Sequence, residues 1–315
     1  MKVLITGSSG SFGSIISKSL VSKGITVVGL DISEPIEHLS GQYFRFYKCS
    51  ITDEEYLKSI FADEMPTHVI HLACTFNKVR NQKREHDIDI GGSRNILEIA
   101  DQTPSVKQLI FSSSATAYGG NRDNPLWIKE DYPLNPGAYR YGSNKMLIEG
   151  IYSETPVRKD LNVVLVRICI VVGPGFNKRG STVAILKRWK ILPGFFMENK
   201  VQFLHTDDFI SLINLILKDE HIEGIFNVAP DTYSVVRDIV FNRMYIRVPA
   251  WLVKGLAFIL WNLRIRNFDP AAISVTIYPV VLDPGKIISR FNYKFRFNSS
   301  EAYADADIND DLPRR

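Results

Sequence analysis

The feature that most constrains the fold is a run of three glycines directly behind an apolar segment. Residues 3–5 are apolar enough for a buried strand, and they lead into Gly7-Ser-Ser-Gly10-Ser-Phe-Gly13. A helical pattern of apolar residues follows. In such a strand–turn–helix unit, the free N–H groups and the dipole of the helix N-terminus favour a bound pyrophosphate. Glycine permits the tight turn, the approach of the pyrophosphate and the packing of helix on strand.

A carboxylate ends the next apolar segment. Residues 25–30 are apolar and lead into Asp31, which stands about 20 residues beyond the glycine turn, where the dinucleotide fold places a carboxylate on the adenosine ribose hydroxyls. The two features together predict a dinucleotide site. The alternative is a plain strand-to-helix turn with a capping serine.

Composition narrows the class of protein. The 315 residues are 45% hydrophobic, enough for one large α/β domain or for one with a smaller lobe. A net charge of +4, with both signs interspersed, does not favour nucleic-acid binding. Cys49, Cys74 and Cys169 lack CxxC spacing, so we expect reduced cysteines in a cytoplasmic protein, without a disulfide or a metal site.

No segment predicts export or a membrane span. The chain starts on its first strand, so we expect no signal peptide. The longest apolar stretch, residues 251–263, contains Lys254 and is too short to cross a bilayer. We therefore expect no membrane partner.

Strand and helix patterns alternate through the first half of the chain, which predicts a Rossmann-type, doubly wound parallel sheet with helices on both faces. Strands are predicted at residues 43–49, 67–72, 106–111 and 162–170, and helices at 53–61, 86–100 and 139–152. The alternation loosens after residue 173. We predict a dinucleotide-binding domain over residues 1–173, with 201–230 returning to it, a smaller substrate lobe over 174–303 and a frayed tail over 304–315.

Tyr141 and Lys145 stand four residues apart on a predicted helix and so share one face. A tyrosine with a pKa of about 10 is a poor base at neutral pH, but a nearby cation favours the phenolate. The pair is therefore a workable proton acceptor and donor for a carbinol. The alternative is an ordinary exposed helix face.

Three serines, Ser112, Ser113 and Ser114, follow the fifth predicted strand. They would lie at the carboxyl edge of the sheet, where α/β proteins bind ligands, and a hydroxyl there can donate to a substrate oxygen. The alternative is a polar loop with a helix cap.

These motifs resemble the extended short-chain dehydrogenase/reductase superfamily, of the NAD-dependent epimerase/dehydratase type, from Met1 to about Tyr303. The resemblance rests on the following segments: Gly7-x-x-Gly10-x-x-Gly13, Asp31, His71-Leu-Ala73, Phe111-Ser-Ser-Ser-Ala-Thr-Ala-Tyr-Gly119, Tyr141-Gly-Ser-Asn-Lys145, Arg167 with Gly173-Pro-Gly175, and Phe203-Leu-His-Thr-Asp-Asp208.

The resemblance implies that Tyr141 is the acid/base, that Lys145 holds the nicotinamide ribose, and that Ser114 assists at the reacting oxygen. Asp31 would repel a 2′-phosphate, so NAD is the expected cofactor. A homodimer through the helices at 86–100 and 139–152 is also implied. The implied cofactor-binding set is Gly7, Ser9, Gly10, Ser11, Phe12, Gly13, Asp31, Ser50, Ile51, Leu72, Ala73, Cys74, Ser112, Tyr141 and Lys145.

The reaction expected from the resemblance is that of a nucleotide-sugar epimerase. Tyr118-Gly119 after the serines resembles the 4-epimerases, whereas Ala115 and Thr116 stand where a dehydratase would have Asp-Glu. A non-catalytic NAD-binding protein is less expected, because such relatives have usually lost the tyrosine or lysine of the pair.

Several departures favour another alternative, an NAD(P)-dependent dehydrogenase or reductase of a hydrophobic alcohol or ketone, similar to 3β-hydroxysteroid dehydrogenases. The groups that grip UDP in the family are replaced by Ile170-Val171 and Val201-Gln202, and 266–269 is the nearest match to a late Arg-Pro-Gly-Asp stretch. Asp89 and Ser50 replace a frequent Asn and Asp. An apolar pocket would include Phe195, Phe196, Met197 and Trp251, for which a place in the core is the alternative.

His71 and His205 are expected to be structural, hydrogen-bonded histidines. Asp207 is then expected to cap the helix that follows it.

Overall fold

The structure is a computed structural model. It describes residues 1–35, 39, 41–75, 81–174, 176–178, 182–240, 244–246, 248–264 and 269–309. Gly175 and the Arg266 end of the 266–269 match lie outside these residues, as does the side chain of Phe195.

Strands and helices alternate through most of the chain. The strands are β1 (Lys2–Thr6), β2 (Thr26–Asp31), β3 (Phe44–Lys48), β4 (His68–His71), β5 (Gln108–Ser114), β6 (Asn162–Ile168), β7 (Ile170–Val172), β8 (Asn177–Lys178), β9 (Ile191–Pro193), β10 (Lys200–Val201), β11 (Phe203–His205), β12 (Gly224–Val228), β13 (Ser234–Val235), β14 (Met244–Ile246) and β15 (Ile308–Asn309). The α-helices are α1 (Ser11–Val21), α2 (Glu54–Glu64), α3 (Gln82–His86), α4 (Gly92–Gln102), α5 (Arg140–Glu154), α6 (Thr182–Arg188), α7 (Gly194–Met197), α8 (Thr206–Lys218), α9 (Val236–Ile239), α10 (Ala250–Asn262), α11 (Ser274–Ile277), α12 (Gly285–Phe291) and α13 (Ser299–Asp305).

The central sheet has seven strands in the order β12-β6-β5-β4-β1-β2-β3. β1 pairs in parallel with β2 on one side and with β4 on the other, so Ile5 lies between Gly29 and Ile70. The order 3-2-1-4-5-6 is that of the dinucleotide-binding fold, and its switch point lies between β1 and β4. The predicted doubly wound parallel sheet is confirmed.

The two faces of this sheet are both buried. Leu4 packs in a core with residues of α2, α4 and α5 such as Phe61 and Ile148, while Val3 and Ile5 point to the opposite face and are also fully buried. Strands buried on both sides require helices on both faces, which explains the nearly continuous apolar runs in the sequence.

The chain divides into two compact units that interleave along the sequence. The first unit contains Met1–Ser113, Asn144–Val166 and Leu212–Ile225, and the second contains Ser114–Ser143, Arg167–Ser211 and Phe226–Arg315. The boundary predicted at residue 173 does not coincide with this division, because the chain enters the second unit at Ser114, the last residue of β5, and again at Arg167, within β6. The domain assignment made from the sequence stays a prediction.

The frayed tail predicted from residue 304 is wrong over its first part. α13 runs to Asp305 and is capped by Asn298, whose side chain accepts from the N–H groups of Ser300 and Glu301. Tyr303 and Ala306 are buried in the core of the second unit. The polar composition of this segment gave no indication that these few apolar residues are buried. Residues 310–315 lie outside the described part of the chain.

The helix predicted at residues 86–100 begins earlier and has an irregular turn. α3 starts at Gln82, a π-helical turn covers Asp87–Gly91, and α4 continues to Gln102. Gly92 has no room for a side chain, because an added Cβ would lie 2.5 Å from the Ile51 side chain. Nothing lies within 4 Å of the same position on Gly91, so only the second of these two adjacent glycines is closely packed.

Candidate active site

The glycine turn of the first unit forms a tight cradle between β1 and α1. Gly7 adopts a left-handed conformation with φ +71°, and a Cβ placed on it would lie 2.9 Å from the Ala73 backbone nitrogen. A Cβ on Gly13 would lie 2.2 Å from the Gly7 carbonyl oxygen. α1 begins at Ser11 without a side-chain cap. The turn is therefore shaped for a phosphate at the helix N-terminus, as a dinucleotide requires.

The Asp31 carboxylate lies beside this cradle at the end of β2. Its oxygens accept from the Ser9 and Ser33 backbone N–H groups, each at 3.0 Å. The Ser9 hydroxyl in turn donates to the Ser33 carbonyl at 2.6 Å. These bonds link the glycine turn to the end of β2, where a carboxylate meets an adenosine ribose in this fold.

The segment after β4 lies against the same turn. The Thr6 hydroxyl oxygen accepts from the N–H groups of Leu72 and Ala73, each at 3.2 Å. Burial raises the pKa of the Cys74 thiol, so it stays protonated, as expected of a reduced structural cysteine. Cys49, Cys74 and Cys169 are all free thiols.

The Ser50–Ile51 segment, which the resemblance assigns to the cofactor site, is held by local contacts. The Ser50 and Thr52 hydroxyls lie 2.8 Å apart, and Ile51 is buried against Gly92. The backbone of this segment is thus fixed at the end of β3.

Lys145 is buried at the end of β5. Its ammonium donates to the Ser112 carbonyl at 2.7 Å and lies 4.8 Å from the centre of the Phe111 ring. Burial, and after it the charge of Lys145, lowers the pKa of His71 to about 3. His71 is therefore neutral; its ring lies 2.7 Å from the Thr6 hydroxyl and 2.9 Å from the Ser93 hydroxyl, which confirms its structural role.

Ser113 differs from its two neighbours because its hydroxyl donates to the buried Glu149 carboxylate of α5. That bond ties β5 to α5 within the first unit. Ser113 is thereby committed to the core, which leaves Ser112 and Ser114 as the serines that end the strand without this restraint.

Ser114 and Tyr141 both belong to the second unit. The Ser114 hydroxyl accepts from the Thr116 N–H at 3.2 Å and from the Thr116 hydroxyl at 2.9 Å, so it caps the short 3₁₀ turn at 115–118. The Tyr141 ring lies 6.0 Å from that of Tyr139.

The first turn of α5 contacts the backbone of the serine turn. A Cβ on Gly142 would lie 2.4 Å from the Thr116 carbonyl oxygen. The residue next to Tyr141 is thus in van der Waals contact with a residue two positions beyond Ser114. This contact brings the helix turn that carries Tyr141 next to the turn that begins at Ser114. Sequence analysis did not identify Gly142 as the residue that permits it.

A second residue whose role could not be read from the sequence is Asp89, which is fully buried. Its carboxylate accepts from the Thr75 N–H at 2.7 Å, from the Thr75 hydroxyl at 2.8 Å and from the Asn144 amide at 2.9 Å. Asn144 is the residue before Lys145. The carboxylate therefore anchors both the loop after β4 and the helix turn that carries the lysine, which explains why Asp rather than Asn stands here.

We expect Asp89→Asn to lower the free energy of unfolding by about 1–3 kcal/mol. The amide nitrogen that replaces one carboxylate oxygen would face a hydrogen-bond donor in the core, and both groups would then lack an acceptor. Urea denaturation measures this loss. Asp53→Asn is the control, since the exposed Asp53 side chain caps the N-terminus of α2 and Asn is an equally good cap. Equal stability of the Asp89→Asn variant and the parent would contradict the anchoring role.

Tyr118 and Arg167 form a buried pair in the second unit rather than a catalytic one. An Arg167 guanidinium nitrogen donates to the Tyr118 hydroxyl at 2.6 Å, and that hydroxyl lies 3.0 Å from the Asn227 amide oxygen. Burial raises the pKa of Tyr118 to about 12, which makes it unsuitable as a base. Gly119 follows with φ +72°, where a Cβ would collide with the Asn135 carbonyl.

The positions that differ from the UDP-gripping pattern are built into the second unit. Val201 is buried, and the Gln202 amide donates to the Pro230 and Leu282 carbonyls, each at 2.9 Å. Val171 is buried where β7 pairs with β11. These side chains are therefore engaged in packing and hydrogen bonds inside the second unit.

The described residues that were predicted to line an apolar pocket, Phe196, Met197 and Trp251, differ in burial. Phe196 and Met197 are buried in the core of the second unit, whereas Trp251 is 72% exposed on α10. Trp251 stands on a helix with no buried residue, and its sequence position could not reveal this.

His205 is a structural residue, as expected. Its ring stacks on Phe297 with centroids 3.9 Å apart and lies 3.0 Å from the Asp305 carboxylate. The expectation that Asp207 caps α8 is wrong, because α8 starts at Thr206 and the Asp207 N–H instead donates to the His205 ring. Asp208 is buried and accepts from the Tyr293 hydroxyl and the Arg296 N–H, which fixes the C-terminal segment.

The strand order and the glycine cradle define a Rossmann-type dinucleotide-binding protein. A profile of the NAD dependent epimerase/dehydratase family matches residues 3–229. Because this match covers most of the chain, the protein belongs to the NAD dependent epimerase/dehydratase family, which confirms the resemblance seen in the sequence. The family's dependence on NAD agrees with the expected cofactor.

Curated relatives share part of the sequence. A UDP-glucose 4-epimerase of Neisseria meningitidis serogroup A is 32% identical over 163 residues, which are 48% of this chain and 47% of that protein. The uncharacterised protein y4nG of Sinorhizobium fredii is 27% identical over 246 residues, 75% of this chain and 58% of that protein. The matched region thus spans about half the length of the curated relatives.

Solved structures share the fold over nearly the whole chain. The enzyme WbmG of Bordetella bronchiseptica, in complex with NAD, superposes with a TM-score of 0.77 at 22% identity over 97% of this chain and 92% of that one. The UDP-glucose 4-epimerase of Thermotoga maritima, with UDP-glucose, gives 0.74 at 24% identity over 97% of both chains.

The described residues lack a metal cluster and a membrane-spanning helix. No group of three or more His, Cys, Asp and Glu side chains could hold a metal ion there. Within the same part of the chain, no helix is long and apolar enough to cross a membrane.

Proposed function

We propose that this protein is a nucleotide-sugar epimerase in which Tyr141, Lys145 and Ser114 act at a substrate carbinol. The observation that carries the proposal is the contact of Gly142 with the Thr116 backbone. It puts the turn that bears Tyr141 beside the turn that begins at Ser114. The same helix carries Lys145, whose buried ammonium donates to the Ser112 carbonyl near the end of β5.

The residues around the glycine turn fit the cofactor. The glycine turn packs tightly on backbone at Gly7 and Gly13 and leaves the N-terminus of α1 without a side-chain cap, which suits it to the pyrophosphate, and Asp31 suits the adenosine ribose hydroxyls. Leu72 to Cys74 and Ser50–Ile51 would flank the cofactor through their backbone. When bound, NAD supplies reversible hydride acceptance at the carbinol carbon.

The protein's own side chains carry out the proton transfer. Tyr141 takes the proton of the substrate hydroxyl, and an ammonium on the same face of α5 favours the phenolate by charge. Ser114 donates to the same substrate oxygen and holds it in line. The proton returns from Tyr141 when the carbinol re-forms, so the tyrosine serves as base and then as acid.

Relatives named UDP-glucose 4-epimerases support the nucleotide-sugar class. The buried Val201 and Gln202 favour a second candidate, a dehydrogenase or reductase of a more hydrophobic alcohol, because neither side chain can bind a diphosphate.

The two candidates are tested with the purified protein and NAD. UDP-glucose and UDP-galactose are supplied separately, the sugars are analysed by chromatography, and absorbance at the wavelength of reduced nicotinamide is recorded. Interconversion without net reduction of NAD supports the epimerase. Accumulation of reduced cofactor with apolar alcohols, and none with sugar nucleotides, would instead establish the second candidate.

We expect Asp31→Asn to weaken NAD binding by roughly tenfold and to reduce the preference of the protein for NAD over NADP, because a carboxylate repels the 2′-phosphate. Titration calorimetry with both cofactors measures the change. Asp53→Asn is the matched control, and the melting temperature of each variant separates lost binding from lost folding. An unchanged NAD/NADP ratio would contradict the assignment of Asp31.

A homodimer through α4 and α5 remains part of the proposal. Three apolar residues of α5 are candidates for this contact: Leu147, Ile148 and Ile151. Ile148 is buried in the core of the first unit and Ile151 packs against that core, so Leu147, which is 48% exposed, is the one of the three available to a partner. Light scattering of Leu147→Glu against the parent tests this contact: the variant is expected to be monomeric.

A further inference from the structure

The helix α10 of the second unit carries far more exposed apolar surface than an ordinary surface helix. None of its 13 residues is buried. Leu252, Leu256, Ile259 and the following Leu263 are between 48% and 64% exposed. Their spacing of four, three and four residues places them on one side of the helix. We call these four residues the apolar stripe.

The other sides of α10 have identifiable neighbours. Val253, Ala257 and Leu260 are half-buried and lie together on another side of the helix. Lys254, Gly255 and Phe258 line a pocket of about 530 Å³ together with Gly120, Pro136 and Ser274. The apolar stripe therefore points away from both the packed side and the pocket side.

Apolar exposure continues in the segment before the helix. Met244, Tyr245 and Ile246 of β14 are each more than half exposed, and β14 pairs in parallel with β9, beside the exposed Trp189. Monomeric soluble proteins rarely leave large apolar patches exposed without a partner, so the stripe itself calls for one.

The charge of the segment that contains the stripe indicates that partner. Residues 239–268 contain five Lys or Arg and no Asp or Glu. Among the described residues of this segment, Arg264 is exposed directly after the last residue of the stripe, and Lys254 is exposed on the pocket side of the helix. The exposed Arg188 and Lys190 flank Trp189 on the strand side. A second copy of this chain would set these cations against the same cations, which is unfavourable. An anionic surface with an apolar interior matches both the charge and the stripe.

We propose that the apolar stripe of α10 docks on an anionic lipid bilayer, with the helix lying in the plane of the interface. At about 1.5 Å per residue the helix is roughly 20 Å long, too short for the hydrocarbon core of about 30 Å but long enough to lie along its surface. Trp251 in the first turn and Arg264 after the last stand at the headgroup level, where Trp and Arg are favoured. The expectation of no membrane partner rested on helix length, which excludes spanning and not surface attachment.

Flotation of the full chain with vesicles tests the proposal. Vesicles of phosphatidylcholine alone are compared with vesicles of phosphatidylcholine and phosphatidylglycerol at about 3:1. The protein is expected to float with the anionic vesicles and to be released by about 0.5 M NaCl, which screens the basic residues. Absence of flotation with the anionic vesicles would overturn the proposal.

The variant Leu256→Ser/Ile259→Ser is expected to lose at least roughly tenfold in vesicle binding, because two apolar groups no longer enter the interface. Tyr56→Ser/Leu126→Ser is the matched control, since these side chains are 42% and 45% exposed outside α10; it should bind like the parent. Both variants keep every proposed cofactor and catalytic residue, so NAD binding should not change.

Light scattering of the same variants without lipid tests whether the stripe instead binds a second copy of this chain. If the stripe variant turns an oligomer into a monomer and vesicles are never bound, the stripe is an interface between copies and the lipid proposal is wrong. Equal flotation of the stripe variant and the parent would equally overturn it, because binding would then reside elsewhere.

Discussion

Tyr141→Phe is expected to lower kcat by about 10²- to 10⁴-fold, the range that general acid–base groups contribute. The change removes one hydroxyl and keeps the ring, which lies 6.0 Å from that of Tyr139 in the first turn of α5. Without the hydroxyl, the carbinol proton has no acceptor on this side chain. The cofactor cradle of Gly7, Gly13 and Asp31 is untouched, so the Kd for NAD should stay within about twofold of the parent value.

Tyr152→Phe is the control for this experiment because it removes a hydroxyl from the same helix. The Tyr152 hydroxyl donates to the Ser93 carbonyl at 3.2 Å, and burial raises its pKa above the ordinary value. Its loss should cost stability, about 1 kcal/mol, and leave kcat unchanged. A Tyr141→Phe variant that turns over at the parent rate would remove the basis of the proposed mechanism.

The parts of the fold that sequence predicts well are those set by local patterns. The apolar runs of β1, β2 and β4 are buried on both faces and therefore appear as continuous hydrophobic segments. Gly7 and Gly13 could be identified because a left-handed turn and a backbone contact at that place admit no other residue. The helix bearing Tyr141 and Lys145 was visible from spacing alone, although its N-terminal contact was not.

The remaining features depend on contacts between residues distant in sequence. The sequence shows Asp89 only as a replacement of a frequent Asn, because its partners Thr75 and Asn144 are 14 and 55 residues away. Ser113 is the same residue type as Ser112 and Ser114, and its role differs only because its hydroxyl donates to Glu149. The exposure of α10 likewise contradicts its apolar sequence, since nothing in that sequence distinguishes a core helix from an interfacial one.

Gly142→Ala is expected to lower kcat by roughly 10- to 100-fold with little effect on the Kd for NAD. The new Cβ would lie 2.4 Å from the Thr116 carbonyl oxygen, a backbone atom that cannot rotate away. The first turn of α5 must therefore shift from the serine turn, and a displacement of about 1 Å at a reacting group can cost about 10²-fold. Alanine has the better helix propensity, so any loss reflects the contact and not the helix.

Gly150→Ala is the matched control on the same helix, because the nearest atom to its added Cβ is the Glu154 carboxylate oxygen at 3.9 Å. It should keep the parent kcat and raise the free energy of unfolding by about 0.5–1 kcal/mol. Steady-state kinetics together with NAD titration separates the two variants. If Gly142→Ala and Gly150→Ala give the same kcat, the approach of α5 to Thr116 does not position Tyr141, and the catalytic proposal must rest on the Tyr141 hydroxyl alone. If only Gly142→Ala is slow, the contact that carries the proposed function also sets its rate.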